Sequence, residues 1–171
     1  RKVGDAGLSV RIAATRKTAP GLRYFDKKAV LIGGGDPHRF RLDDAYLIKD
    51  NHLKIAGGIK GALEKVRSVA SFNKKVEVEA KTMDQAIEAA ELGADIVMLD
   101  NMTLKEASET MKAFSDLNLR DRVLIEISGG VTEGKLLDYA KLKPDVISLG
   151  SLTHSVRAID VSLDVVEARI E

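Results

Sequence analysis

The sequence predicts an α/β protein built as a parallel (β/α) barrel, TIM-like but open or incomplete. Short β-branched runs alternate with amphipathic helical patterns along the chain. Successive runs lie roughly 20 to 30 residues apart, which leaves room for a covering helix and return loops between parallel strands. The 171 residues, 44% of them hydrophobic, are enough for one domain with its own core, and no linker or low-complexity segment divides them.

The strand-like runs, in order, are Val10 to Ala14, Ala45 to Ile48, Val76 to Glu79, Ile96 to Leu99, Val123 to Ile127 and Val146 to Leu149. Between them, Leu63, Val66 and Val69 make one apolar helical stripe, and Leu104, Ala107, Met111 and Phe114 make another. Thr82 with Gln85 and Thr103 with Glu106 fit the capping box, in which a hydroxyl and an acid or amide satisfy the first free amides of a helix. Gly93 is placed to end a helix before the fourth strand. The closing segment, Ile159 to Val166, alternates as a strand would.

Composition excludes several functions. Lysine and arginine total 27 against 26 aspartate and glutamate, so no global field would hold nucleic acid or an acidic membrane surface. No apolar run reaches the roughly 18 residues of a membrane helix, and no signal-like stretch follows Arg1. With no cysteine, disulfides, thiolate metal sites and cysteine nucleophiles are ruled out, and a cytoplasmic location is expected. The chain opens on Arg1 rather than methionine, as a fragment or trimmed chain would.

The informative charge is local. Arg16, Lys17, Arg23, His38, Arg39, Lys49 and His52 fall in one short span rich in glycine, which reads as an anion site. A barrel carries its chemistry at the carboxyl ends of its strands. There stand Arg16 with Lys17, Lys49, Glu79, Asp100, Ser128 with Gly129 and Gly130, and Gly150 with Ser151. Strand parity puts Glu77 and Glu79 on one face, and Glu126 and Ser128 on one face. If that face is the interior, buried carboxylates repel by on the order of 4 kcal/mol per close pair at an effective dielectric near 20. Lys17, Lys49 or a bound Mg²⁺ would have to compensate. The opposite arrangement, with glutamates outward under the helices and valines inward, is the less favoured alternative.

The two late small-residue turns, Ser128-Gly129-Gly130 and Gly150-Ser151, each run from a strand towards a helix and suit phosphate binding. Gly33-Gly34-Gly35 is no dinucleotide fingerprint, because His38 stands where a third glycine would fall, so a nicotinamide cofactor is not expected. His38, His52 and His154 are too scattered for zinc, and His38 beside Arg39 is the best anion contact of the three. Asp43 and Asp44 carry no assigned role.

TRKTAPGLR, GGGDPHRFRLDDAYLIKDNH, VEVEA, IVMLDN, ISGG and SLGSLTHS occur here in order, from Thr15 to about Asp164. In this the chain resembles the quinolinate phosphoribosyltransferases, the decarboxylating enzymes of NAD synthesis. A family linked to molybdenum transport shares parts of TRKT and GGG-HR, but KDNH points to the phosphoribosyltransferases. The resemblance implies transfer of a phosphoribosyl group from 5-phosphoribosyl 1-pyrophosphate to quinolinate, giving nicotinate mononucleotide, pyrophosphate and carbon dioxide. It implies that Arg16, Lys17, His38, Arg39 and Lys49 bind the quinolinate carboxylates. Glu79 and Asp100, with Lys49, would be the catalytic set, the two acids facing ribose and Mg²⁺ directly or through water. Ser128, Gly129, Gly130, Gly150 and Ser151, with His154, would hold the 5-phosphate.

The resemblance also implies that residues 1–171 form the barrel domain, that an amino-terminal α/β domain lies outside this chain, and that the closing strand joins the two. A homodimer or larger assembly, in which that domain lends basic residues to a neighbour's site, is expected. Two other readings stand beside this one: a non-catalytic barrel that binds phosphate or another anion, and a transferase for a related aromatic acid.

Overall fold

A computed structural model describes residues 2–167. Its elements are α1 (Lys2–Asp5), β1 (Arg11–Ala13), α2 (Arg23–Ile32), β2 (Tyr46–Ile48), α3 (Asp50–Ala56), α4 (Ile59–Arg67), β3 (Val76–Ala80) and α5 (Met83–Glu91). There follow β4 (Ile96–Asp100), α6 (Leu104–Asp116), β5 (Leu124–Ser128), α7 (Leu136–Ala140), β6 (Val146–Ser148) and α8 (Ser151–His154). All six expected strands are present. They form one parallel sheet in the order β1-β6-β5-β4-β3-β2, which curves as an open barrel with β1 and β2 at its edges.

Local chemistry explains the element boundaries. Thr103 Oγ1 accepts the Glu106 amide while the Glu106 carboxylate accepts the Thr103 amide at 2.8 Å, a complete capping box at the start of α6. At α5 the Thr82 hydroxyl accepts the Gln85 amide, but the Gln85 side chain reaches the Lys81 amide instead of that of Thr82. Gly93 follows α5 with φ of 80°, and the Ala94 amide returns to the Ala89 carbonyl, the left-handed ending that glycine makes cheap. The acids just before two strands bind amides at the start of the neighbouring strands: Asp95 Oδ2 accepts from Val76, the first residue of β3, and Asp145 Oδ2 from Ile125, the second of β5, both at 2.7 Å.

The two faces of the sheet differ. Val78, Val97, Leu99, Ile125, Ile127 and Ile147 point outward and pack under the helices with Leu63, Ala86, Ala89, Ala107 and Phe114. This layer is the apolar core. The alternate positions point inward, and of these Glu77, Glu126 and Ser148 are at most 2% exposed. The arrangement with outward glutamates is therefore excluded by the register.

Two expectations change. Ile159 to Val166 forms no strand: its side chains are exposed, Ile159 at 86% and Leu163 at 95%. Alternation alone does not make a strand, because strand backbone needs a hydrogen-bonding neighbour, and none adjoins this segment among the described residues. Leu104, the first residue of α6, is exposed, and Val69 lies beyond the end of α4 and is exposed as well. The run Ala29 to Ile32 lies inside α2, whose buried residue is Lys27, while Tyr24, Phe25, Leu31 and Ile32 are exposed.

After α2 the chain returns at Asp36, which bridges to Ala13 on the edge of β1. His38 and Arg39 follow and stand at the open seam between β1 and β2.

Candidate active site

The basic set forms around that seam. Arg16 is half-buried, and its Nε is buried without a hydrogen-bond partner. Such an orphaned donor is costly unless something answers it. Arg23, the first residue of α2, donates to Thr18 Oγ1 at 3.3 Å and to the Arg16 carbonyl at 3.4 Å. Arg39 donates to the Ala45 carbonyl at 3.2 Å, and burial lowers its pKa, although a guanidinium stays charged. Lys17 is exposed, so the buried carboxylates are not neutralised by it.

A residue that sequence reasoning missed holds this loop. The Lys27 ammonium donates to the Pro37 and Arg39 carbonyls, the latter at 3.2 Å. Burial, then the charges of Arg23 and Arg16, lower its pKa to about 8. A lysine on a helix with an apolar run reads as a solvated charge, and only the return of the chain over it reveals its position.

The inward acids form two groups. Lys49, at the end of β2, pairs with Glu79 at the end of β3. Asp100, at the end of β4, accepts the Asn101 side-chain amide at 2.9 Å. Glu79 is in register with Met98, so Glu79 and Asp100 share the inner face, one pleat apart on adjacent strands. Deeper in, Glu126 Oε1 lies 2.6 Å from Ser148 Oγ, which lies 2.8 Å from Ser128 Oγ. Its Oε2 lies 3.3 Å from His38 Nε2. Glu77 comes within 4.0 Å of the same nitrogen, and its Oε1 is buried without a partner. Burial and then Glu126 push the Glu77 carboxyl up to about 8, so this acid holds its proton to a higher pH than an exposed carboxyl does.

His38 has both ring nitrogens engaged. Its Nδ1 accepts the Arg39 amide at 2.8 Å, which puts the ring proton on Nε2, facing Glu126. Burial opposes a charged ring, yet the Glu126 hydrogen bond and the charges of Glu126 and Glu77 outweigh it and raise the pKa. Protonating Nδ1 would break the bond from Arg39. His52 is a capping residue, with Nδ1 accepting the Lys49 amide at 3.0 Å at the start of α3.

Two donor sets bear on metal binding. Glu79 and Asp100 offer hard carboxylate oxygens at the open end of the barrel, which fits Mg²⁺ that keeps most of its shell from water and substrate oxygens. The atoms of His38, Glu77 and Glu126 lie within 4.8 Å of one another. Both Glu126 oxygens are already partnered, however, and Arg39 and Lys27 act electrostatically on these residues, which disfavours a cation there.

The small-residue turns differ from each other. Gly129 and Gly130 follow β5 with φ of 84° and 62°. They line a cavity of about 360 Å³ with Asn101, Thr103 and Lys135. The Asn101 side chain occupies the space where a Cβ on Gly129 would sit. After β6, a Cβ on Gly150 would fall 2.8 Å from the His154 ring, and α8 is a single turn carrying exposed Ser151. Thr153 Oγ1 donates to the Lys17 carbonyl at 2.6 Å, joining this turn to the basic loop. A larger cavity, about 1350 Å³, lies on the other face of β1 and β6 beside α1 and α2, away from His38 and the inward acids.

Thus the structure gathers Arg16, His38, Arg39, Lys49, Glu79, Asp100 and Ser128 at one end of the barrel, with Lys17 and His154 at its rim. Glu77, Glu126, Ser148 and Asn101 join them although the sequence marked none as a site residue. Parity placed the two glutamates inward; nothing in the sequence paired them with His38.

The family model for the C-terminal domain of quinolinate phosphoribosyl transferase matches residues 1–164. The chain belongs to this family. A probable nicotinate-nucleotide pyrophosphorylase [carboxylating] of Methanothermobacter thermautotrophicus is 51% identical over 91% of the chain and 56% of its own length. The human nicotinate-nucleotide pyrophosphorylase [carboxylating] is 40% identical over 92% of the chain and 52% of its own. The solved nicotinate-nucleotide pyrophosphorylase from Francisella tularensis superposes with a TM-score of 0.84 at 40% identity, over 92% of this chain and 54% of that one. The chain therefore spans roughly half the length of these members of the quinolinate phosphoribosyltransferase family.

Proposed function

We propose that this barrel carries out phosphoribosyl transfer to quinolinate in de novo NAD synthesis. The pyridine nitrogen attacks the anomeric carbon of 5-phosphoribosyl 1-pyrophosphate and pyrophosphate departs. Carbon dioxide then leaves the ring carbon beside that nitrogen, a proton takes its place, and nicotinate mononucleotide results. The observation that carries this reading is the meeting, at one barrel end, of Arg16 with a buried unpaired Nε, the Arg39 guanidinium and the Lys49–Glu79 pair. A planar dicarboxylate would answer the first two.

In this reading Arg16, Arg39 and Lys49 bind the quinolinate carboxylates, because a guanidinium fork matches a carboxylate in two parallel hydrogen bonds. His38 shapes the pocket beside Arg39, and Lys17 adds charge at the rim. Glu79 and Asp100 face the ribose and stabilise the positive charge that grows on it as pyrophosphate leaves. Mg²⁺, held by Glu79 and Asp100 directly or through water, would neutralise the pyrophosphate. Ser128, Gly129 and Gly130 supply the 5-phosphate site, with Gly150, Ser151 and His154 as its second wall. The active assembly would be a homodimer or larger.

The test is formation of nicotinate mononucleotide from quinolinate, 5-phosphoribosyl 1-pyrophosphate and Mg²⁺, assayed with the chain alone and with a chain of its relatives' full length. Product from the longer chain supports the reading and comparison with the shorter one locates the residues needed. Binding of both substrates with no product from either would instead favour a barrel that only binds anions.

A further inference from the structure

We propose that Glu126 is a positioning residue for the dicarboxylate pocket, acting through His38, and that Ser148 holds Glu126 in that role. The proposal rests on the function proposed above and concerns the same site.

His38 adopts φ of 56°, a left-handed backbone that a residue with a side chain keeps only where its surroundings hold it. Three contacts do so. Its amide donates to Asp36 Oδ1 at 2.7 Å, its Nδ1 accepts the Arg39 amide at 2.8 Å, and its Nε2 faces Glu126 Oε2 at 3.3 Å. Once Nδ1 is an acceptor, Nε2 must be the donor, and the opposite tautomer would set a lone pair against the carboxylate. Glu126 and the Arg39 amide therefore select the tautomer together, and Glu126 holds the plane of the ring.

Glu126 is itself fixed. It is 2% exposed, and its second oxygen takes the Ser148 hydroxyl at 2.6 Å. Glu77 cannot replace it, because its nearest oxygen stands 4.0 Å from Nε2, beyond hydrogen-bond reach. The consequence falls on the next residue. Arg39 receives its backbone direction from His38, while its carbonyl is held by Lys27 at 3.2 Å and its guanidinium by Ala45 at 3.2 Å. A ring free to turn releases the one amide bond that fixes where the guanidinium starts.

The chain has three histidines, so the imidazole nitrogens of each can be resolved by ¹⁵N nuclear magnetic resonance. In the parent, His38 should show one tautomer, with Nδ1 bare and Nε2 protonated. Glu126→Leu removes the acceptor, while Glu126→Gln keeps an oxygen that can take its place. In Glu126→Leu the single-tautomer signature should be lost and quinolinate should bind about 10- to 100-fold more weakly, the cost of a lost bond to a charged group. Affinity for 5-phosphoribosyl 1-pyrophosphate should stay within about twofold, and Glu126→Gln should restore most of both properties. Ser148→Ala, a smaller change that keeps the strand, should shift the same two readouts in the same direction. An unchanged His38 signature in a folded Glu126→Leu or Ser148→Ala protein overturns the proposal. So does an equal loss of affinity for both substrates, which would mark a general structural role. If the parent binds no quinolinate, the proposed function fails, while the His38 signature still decides whether Glu126 sets the ring.

Discussion

The Thr153 hydroxyl donates to the Lys17 carbonyl at 2.6 Å across 136 residues of sequence. Thr153 is 2% exposed and sits in α8, so the turn after the last strand is bolted to the loop after the first. These two strands are neighbours in the sheet, and their loops together form one side of the barrel mouth. Thr153→Val keeps the shape and removes the bond. We expect a loss of about 1–2 kcal/mol in chemical unfolding, with weakened quinolinate binding because the loop that carries Arg16 beside Lys17 is loosened. An unchanged unfolding midpoint would show that the bond contributes nothing to holding the loop.

Gly129 and Gly130 allow a sharper comparison. Both have positive φ, but a Cβ on Gly129 would fall 2.5 Å from the Asn101 side chain, whereas one on Gly130 would come no nearer than 3.9 Å. Gly129→Ala should cost about 1–3 kcal/mol from backbone strain, with steric displacement of Asn101 added, and Gly130→Ala only the strain. Affinity for inorganic phosphate and for 5-phosphoribosyl 1-pyrophosphate should follow the same order. The reverse order would place the phosphate elsewhere.

Glu77 gives a dependence on pH. Its carboxyl is raised from 4.5 to about 8 by burial and by Glu126. Between those values the unfolded chain releases this proton while the folded one keeps it, so the contribution to stability falls as pH rises from 4.5 to about 8. Glu77→Gln removes that loss. Its melting temperature relative to the parent should therefore climb from pH 5 to pH 8, as read by thermal unfolding in steps of pH. A constant difference across that range would mean that Glu77 is ionised in the folded protein.

Asp100 and Arg39 should separate chemistry from binding. Asp100→Asn keeps the size of the side chain and its bond to Asn101 can persist, but the charge needed as the ribosyl cation develops is gone. Turnover should fall more than affinity for either substrate. Arg39→Ala should weaken quinolinate binding by about 10- to 100-fold, because a charged two-point contact is lost. Steady-state kinetics on both variants checks this, and normal turnover in Asp100→Asn would remove that residue from the chemistry.

By itself the sequence determined the parallel α/β barrel and which charged residues stand at its strand ends. The six β-branched runs and the Thr103–Glu106 cap are local signals, and local hydrogen bonding and side-chain alternation suffice to read them. Arg16, Lys49, Glu79 and Asp100 could be placed together because they stand at or just beyond strand ends, which a barrel brings to one side. Tertiary structure decided what depends on distant segments meeting. Glu126 is a partner of His38 only because β5 lies across the barrel from the open seam, and Lys27 is buried only because the chain returns over α2. Ile159 to Val166 has the alternation of a strand and no strand beside it among the described residues. Pairing, burial and desolvation are properties of two segments at once, and a one-dimensional pattern carries information about only one.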